Sequence, residues 1–411
     1  MFKLFPPTLP VLIDGGLGST LEDVFQIDTA SSLWSSEALI KCPQSVIDTH
    51  LIFLRAGARL IETASYQGSF STYARAGYSR DDARRLMRSS VTLAADARSR
   101  FAAEAHVPID GIKIALSLAA YGASLSLPHE FDGHYPPPYG PQAYVYPPDP
   151  MSPNRNAFRA DESAQEAQAE ESLMAFHLER LRVYASDKET WRAVNALAFE
   201  TVPLAREVRA IRRAIAALEG EIAPGERKPW WICAVYTGGQ FPEERPGGGG
   251  ERLGAKEVIA AYFDDPPTAA TGGDRGIGHE GATRYAVPDA FGINCTAVTH
   301  VAGAVAAAND ALAEMGASCS SGAKPWLVLK PNGGQTYDMD TRKWGWYGGE
   351  GRSQGEEWAR KLGDIVRTAT SKGVWGGVLV GGCCKTGEEE LRILSRVLQE
   401  KESEVCGNDS R

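Results

Sequence analysis

The chain has 411 residues, with 43 basic against 52 acidic side chains and a net charge of −9. Hydrophobic residues make up 43% and charged residues 23%, the proportions of a soluble protein able to build one large core without needing a metal or disulfide merely to fold. The absence of a basic run argues against nucleic acid. No stretch reaches the roughly 18 apolar residues of a bilayer span. The opening MFKLFPP places prolines where a secretory h-region would lie, so a cytoplasmic protein is expected.

In chain order, eight short apolar, β-branched or aromatic runs alternate with helical patterns. VLIDGG (11–16) comes first, then a helix beginning at Pro43 with Val46, Ile47, Ile52, Phe53 and Leu54 spaced as a buried stripe and Gly57 at its end. LIETASY (60–66) precedes a helix over Asp81 to Ala103, KIALSLA (113–119) one over Glu162 to Tyr184, and ALAFETV (196–202) one over Leu204 to Leu218. WWICAVYT (230–237) stands before a polar stretch. AFGINCT (290–296), WLVLKPN (326–332) and GGVLVGGCC (376–384) are followed by helices over Ala297 to Met315, Glu356 to Ala369 and Glu388 to Gln399. The runs are near-continuous rather than alternating, as expected of parallel strands covered on both faces. Strand then helix, eight times, is the pattern of a (β/α)₈ TIM barrel in a single α/β domain over 1–411. A doubly wound open sheet is the rival, but the glycines of DGGLGST do not fit a dinucleotide-binding turn. Two long βα-loop insertions interrupt the rhythm: a Pro- and Tyr-rich one at about 128–160 and a Gly-rich one at about 238–286. Both follow a strand end and belong on the catalytic face.

Polar residues collect at the strand ends: Asp14-Gly15-Gly16, Glu62-Thr63, Glu200-Thr201, Asn294-Cys295, Lys330-Pro331-Asn332 and Gly381-Gly382-Cys383-Cys384. In a barrel those ends form the active-site rim. The seven cysteines are odd in number and irregular in spacing, which argues against a disulfide framework. Cys42, Cys233, Cys319 and Cys406 carry no site context and read as structural. Cys295, Cys383 and Cys384 fit three descriptions: small buried apolar residues, a vicinal disulfide acting as a redox switch, or a metal set. If they bind metal, three thiolates favour zinc with a fourth position open for chemistry. Adjacent cysteines on a strand point to opposite faces, so both reach one ion only if the chain turns there. Gly381-Gly382 supplies freedom for that turn.

The ordered set LIDGGLGSTLE, LWSSEAL, GARLIETASYQGS, ALAFETVPLAREV, GINCT, LVLKPNGG and VLVGGCCKTG resembles the homocysteine S-methyltransferase family over nearly the whole chain. The resemblance implies a (β/α)₈ barrel with zinc held by Cys295, Cys383 and Cys384. It also implies homocysteine held at its amino acid end by Asp14, Gly15 and Glu200, with Asn294 preceding the first metal ligand and Trp34 and Tyr66 near the methyl donor. EFDGHY (130–135) resembles a family loop with Phe131 in place of Tyr. The implied reaction moves a methyl group from a sulfonium donor, S-methylmethionine or S-adenosylmethionine, onto homocysteine. Betaine is the alternative donor, disfavoured by the short stretch after Cys384. A zinc or thiol redox sensor on a barrel is the alternative from another class.

Overall fold

The computed structural model describes residues 4–6, 10–28, 33–149, 151–246, 250–264, 284–316, 322–333, 335–338, 343–346 and 354–400. Eight parallel strands form the barrel: β1 Val11–Leu12, β2 Leu60–Glu62, β3 Lys113–Ala119, β4 Ala196–Val202, β5 Trp230–Ala234, β6 Ala290–Ala297, β7 Trp326–Asn332 and β8 Val378–Val380. Each pairs with its neighbour in chain order, β8 pairs with β1, and a parallel bridge from Ile13 to Leu60 closes the ring. A short antiparallel hairpin, Gln335–Asp338 with Lys343–Trp346, follows β7. All eight apolar runs become strands. The expected (β/α)₈ barrel is the fold.

Because side chains alternate along a strand, one set faces the helices and the other fills the barrel. Leu197 and Phe199 of β4, Ile232 of β5 and Leu327 and Leu329 of β7 pack outward in the large cluster shared with the helices. Ala196 and Ala198, Trp231 and Cys233, and Val328 pack inward with Ile13, Leu60, Ala115, Ala290 and Leu379, and Leu4 closes that cluster from the N-terminal segment. Continuing the inward set by two residues reaches Glu62 on β2, Ser117 on β3, Glu200 on β4 and Lys330 on β7, and by four residues from Ala290 reaches Asn294 on β6. The topmost interior layer is therefore polar, above an apolar plug.

The helices are α1 Leu17–Phe25, α2 Ser35–Lys41, α3 Pro43–Arg55, α4 Phe70–Arg75, α5 Arg80–Ala105, α6 Ser163–Ala185, α7 Lys188–Ala193, α8 Ala205–Glu221, α9 Ala255–Phe263, α10 Val298–Met315, α11 Gln354–Ser371 and α12 Glu388–Gln399. Their ends follow local chemistry. Ser79 caps α5 by accepting the Asp82 N–H at 3.1 Å, with Asp81 and Asp82 in the first turn. Pro43 opens α3. Leu51 is buried in that helix, whereas Ile52 is only half-buried, so the stripe is rotated slightly from the sequence reading. The outer helix after β5 lies inside the second insertion, as α9. Its short AKEVIAAYF run sits among glycines and polar residues, which hides it from a periodicity reading. The buried Arg212 holds it by donating to the carbonyls of Ala261 at 2.9 Å and Ala286 at 2.8 Å. Residues 265–283 of this insertion lie outside the described residues.

The first insertion is tied down. The Tyr135 hydroxyl donates to Glu207 of α8 at 2.7 Å. The Asn156 amide donates to the carbonyls of Asp132 at 2.6 Å and Pro242 at 2.8 Å, and its oxygen accepts the Glu244 N–H at 2.9 Å. One buried side chain thus joins the two insertions over the barrel mouth. Among the described residues, no helix is long and apolar enough to cross a membrane.

Candidate functional site

The polar layer forms an ionic cluster. The Lys330 ammonium lies 2.5 Å from Glu62 and 3.2 Å from Glu200. Asp14, just past β1, accepts the Glu62 N–H at 2.6 Å on one oxygen, and the other Glu200 oxygen faces the Trp231 indole N–H at 3.4 Å. All four ionisable residues are at most 7% exposed. Burial, reinforced by the neighbouring carboxylates, pushes Glu62 up to about 8, and burial raises Asp14 to about 7. Burial alone would lower Lys330, but the Glu200, Glu62 and Asp14 carboxylates hold it well above its ordinary value. One oxygen of Asp14 and one of Glu62 are buried without a hydrogen-bond partner. Three carboxyl groups around one ammonium, two of them with an open acceptor oxygen, form a receptor for a further cation, whose arrival favours their ionised forms.

The thiols stand beside this cluster because three strand ends depart from regular geometry. The register shifts after Phe199 in β4 and after Asn294 in β6, and Thr201 and Cys295 take left-handed backbone conformations at φ 58° and 46°. The Asn294 side chain locks these two irregularities together. Its oxygen accepts the Thr201 N–H and its amide donates to the Thr201 hydroxyl, both at 2.8 Å. The kink re-aims Cys295 from the strand face to the mouth. β8 ends at Val380, so Cys383 and Cys384 lie in the turn beyond it. The two glycines before them serve close approach rather than freedom: a side chain at Gly381 would strike the Asp14 carbonyl, and one at Gly382 would strike Thr386. That corrects the reason inferred from sequence.

Cys384 Sγ lies 4.0 Å from Cys295 Sγ and 3.9 Å from Cys383 Sγ, and all three sulfurs fall within 4.8 Å of one another. Tetrahedral zinc–thiolate bonds of about 2.3 Å place sulfurs about 3.8 Å apart, which the two separations from Cys384 match, and the chemistry of three thiols suits zinc. Cys295 Sγ and Cys383 Sγ lie closest of the three, and the trio offers thiolates to a metal only when reduced. Burial pushes the Cys384 thiol up to about 11, so it becomes a thiolate at neutral pH only with a cation beside it. Cys42 is half-buried and free, Cys233 is buried inside the barrel, and Cys319 and Cys406 lie outside the described residues.

One cavity of about 170 Å³ is lined by all nine residues singled out from the sequence: Asp14, Gly15, Trp34, Tyr66, Glu200, Asn294, Cys295, Cys383 and Cys384. It also takes in Glu62, Lys330, Glu130 and Phe131. The first two were visible at strand ends but not assigned to the site. Glu130 and Phe131 come from the first insertion. Glu130 is 5% exposed, burial raises it to about 7, and one of its oxygens has no hydrogen-bond partner. Tyr66 is held through its backbone. Arg180 of α6, itself 2% exposed, donates to the carbonyls of Tyr66 at 2.8 Å, Gly68 at 3.0 Å and Ala119 at 2.7 Å. Nothing in the periodicity of α6 marks that arginine as a strut.

Residues 11–398 match the family model described as homocysteine S-methyltransferase. Homocysteine S-methyltransferase 4 of Zea mays is 27% identical, with 95% of this chain and 90% of that protein aligned. Homocysteine S-methyltransferase YbgG of Bacillus subtilis (strain 168) is 26% identical, with 94% and 93% aligned. In three dimensions the barrel superposes on the metallated form of the homocysteine methyltransferase MmuM from Escherichia coli with a TM-score of 0.59 at 22% identity, covering 94% of this chain and 95% of that one. With the family model spanning nearly its whole length, this chain belongs to the homocysteine S-methyltransferase family.

Proposed function

We propose that this protein methylates the thiol of homocysteine, taking the methyl group from a sulfonium donor, S-methylmethionine in the first place, to give methionine. The observation that carries this reading is that the cation-seeking carboxylate cluster and the three thiols open into one small cavity. An amino thiol has a cationic end and a sulfur end a few ångströms apart, and the cavity offers a partner for each.

The reduced Cys295, Cys383 and Cys384 would hold zinc, which supplies Lewis acidity that favours the thiolate form of a bound substrate thiol near neutral pH. The open oxygens of Asp14 and Glu62 receive the substrate ammonium, with Glu200 adding to the negative field. Asn294 positions Cys295 by bracing both strand kinks. On the donor side, Trp34, Tyr66 and Phe131 present aromatic faces to a sulfonium, each worth about 0.5–2 kcal/mol, and the free carboxyl oxygen of Glu130 offers it a counter-charge. The homocysteine sulfur forms a bond to the methyl carbon as that carbon's bond to the donor sulfur breaks. The donor leaves as a neutral thioether, and the thiol proton passes to solvent. The first insertion, pinned to α8 and to the second insertion, places Glu130 and Phe131 in the cavity lining.

The test is a donor panel. Purified, reduced, zinc-loaded protein is given homocysteine with S-methylmethionine, S-adenosylmethionine or betaine, and methionine is measured. Turnover fastest with S-methylmethionine is expected. Methionine formed chiefly from betaine would overturn the donor, and none from any donor would overturn the reaction.

A further inference from the structure

Lys330 stands at the centre of the carboxylate cluster, and the reaction proposed above gives it no part. A homocysteine ammonium placed on Asp14 and Glu62 shares its α-carbon with the substrate carboxylate. That carboxylate is thereby brought into a pocket that already holds three acidic side chains, Asp14, Glu62 and Glu200. A pocket of one sign would admit an amine and reject an amino acid.

The Lys330 ammonium is the cation that changes this balance. It has three N–H donors. Glu62 at 2.5 Å and Glu200 at 3.2 Å engage two of them, and the residue lines the same cavity as the thiols. At 4% exposure it is shielded from solvent, and its two carboxylate partners fix its position. A substrate carboxylate arriving beside it meets a desolvated, held cation, where a charge-assisted hydrogen bond is strong.

We propose that Lys330 is a specificity-determining residue that receives the substrate α-carboxylate through its third donor, so that the site selects an amino acid thiol over a simple aminothiol. The inference rests on the proposed homocysteine reading. It adds that acceptance of the carboxylate, rather than of the ammonium or the sulfur, depends on this side chain.

The experiment compares three methyl acceptors on the zinc-loaded enzyme: homocysteine, its decarboxylated analogue mercaptopropylamine, and its deaminated analogue mercaptobutyrate. With Lys330→Met, the ratio of kcat/KM for homocysteine to that for mercaptopropylamine should fall by roughly 30-fold or more, the loss expected when one partner of a buried charge pair is removed. Mercaptobutyrate should decline with homocysteine, and zinc content should be unchanged. The substitution leaves buried carboxylates without their cation, so the double variant Lys330→Met with Glu62→Gln restores the net charge and is compared with Glu62→Gln alone. The same fall in the ratio is expected there. An equal decline for all three thiols would make Lys330 structural and overturn the inference. Tighter homocysteine use by Lys330→Met would show that the lysine competes with the substrate ammonium, and would overturn it too. If the unaltered enzyme methylates mercaptopropylamine but not homocysteine, the proposed function itself falls.

Discussion

Replacing Asp14 by Asn tests the carboxylate cluster with two consequences of opposite sign. In the native protein one Asp14 oxygen accepts the Glu62 N–H at 2.6 Å and the other is buried without a partner. An Asn side chain keeps the first bond through its oxygen and turns a donor toward the place where the substrate ammonium sits. The lost charge-assisted bond is worth about 2–5 kcal/mol, so homocysteine affinity should fall at least 30-fold. Stability should move the other way. A carboxyl raised by burial from 3.8 to about 7 is most stable protonated. Its folded-state proton is retained between those values, so its contribution to stability is fully present below 3.8 and is lost as pH rises through about 7. At pH 8 the buried, ionised group destabilises the fold relative to its protonated form. Asn carries no such charge. The metal-free variant should therefore be more stable than the native protein at pH 8, with the gain shrinking as pH falls toward 4. Isothermal titration of homocysteine into zinc-loaded protein measures the first effect, and urea unfolding at pH 5 and pH 8 the second. Unchanged homocysteine affinity would place the ammonium elsewhere. A variant less stable than native at pH 8 would refute the claim that the ionised Asp14 is a strained group retained for binding.

Two further outcomes are expected. Alanine at Cys295, Cys383 or Cys384 should lower bound zinc from about one per chain, measured by metal analysis of reduced protein; full zinc in all three variants would place the metal elsewhere. His50 of α3 is fully buried with no partner on either ring nitrogen, and burial lowers it from 6.5 to about 4. The stability it contributes is present above 6.5 and lost as pH falls toward 4, so the native protein should lose about 2 kcal/mol more than His50→Leu between pH 7 and pH 5, read from unfolding curves; equal losses would exonerate His50.

The barrel was legible because its strands are covered on both faces, which makes them continuous apolar runs set between helical stripes. Even so, β1 and β8 pair over only two and three residues, and Asp14-Gly15-Gly16 and Gly381-Gly382-Cys383-Cys384 belong to the rim rather than to the strands. The chain's turn at Cys383-Cys384 was foreseeable from the doublet, whereas the kink at Cys295 was not. AFGINCT reads as an unbroken strand, and only the Asn294–Thr201 lock across two strands shows why its register shifts. Glu62 and Lys330 stood at strand ends in plain view. Their meeting depends on the stagger of β2 against β7 across the barrel, and a single-strand pattern does not contain that quantity. Glu130 had no periodic signal, being a loop residue, and was marked only by the EFDGHY resemblance. It reaches the cavity because Tyr135, five positions along, is anchored on Glu207.

These misses share a cause that bears on how the site works. Periodicity reports what a residue does for its own element, whereas the functional groups here are set by contacts between elements: β4 to β6 through Asn294, the first insertion to α8 through Glu207, and α6 to the loop after β2 through Arg180. Such cross-bracing leaves the ends of the substrate little choice. The carboxylates and Lys330 lie inside the barrel in the layer above its apolar plug, while the thiols lie past the ends of regular pairing at the mouth. A bound amino thiol must then point its charged end down the barrel and its sulfur up toward the rim, the side on which Trp34 and Glu130 wait. On the proposed reading, that polarity presents the substrate sulfur to a donor arriving from the rim. If homocysteine is the substrate as proposed, the charge pattern of the barrel interior determines which of its ends meets the donor.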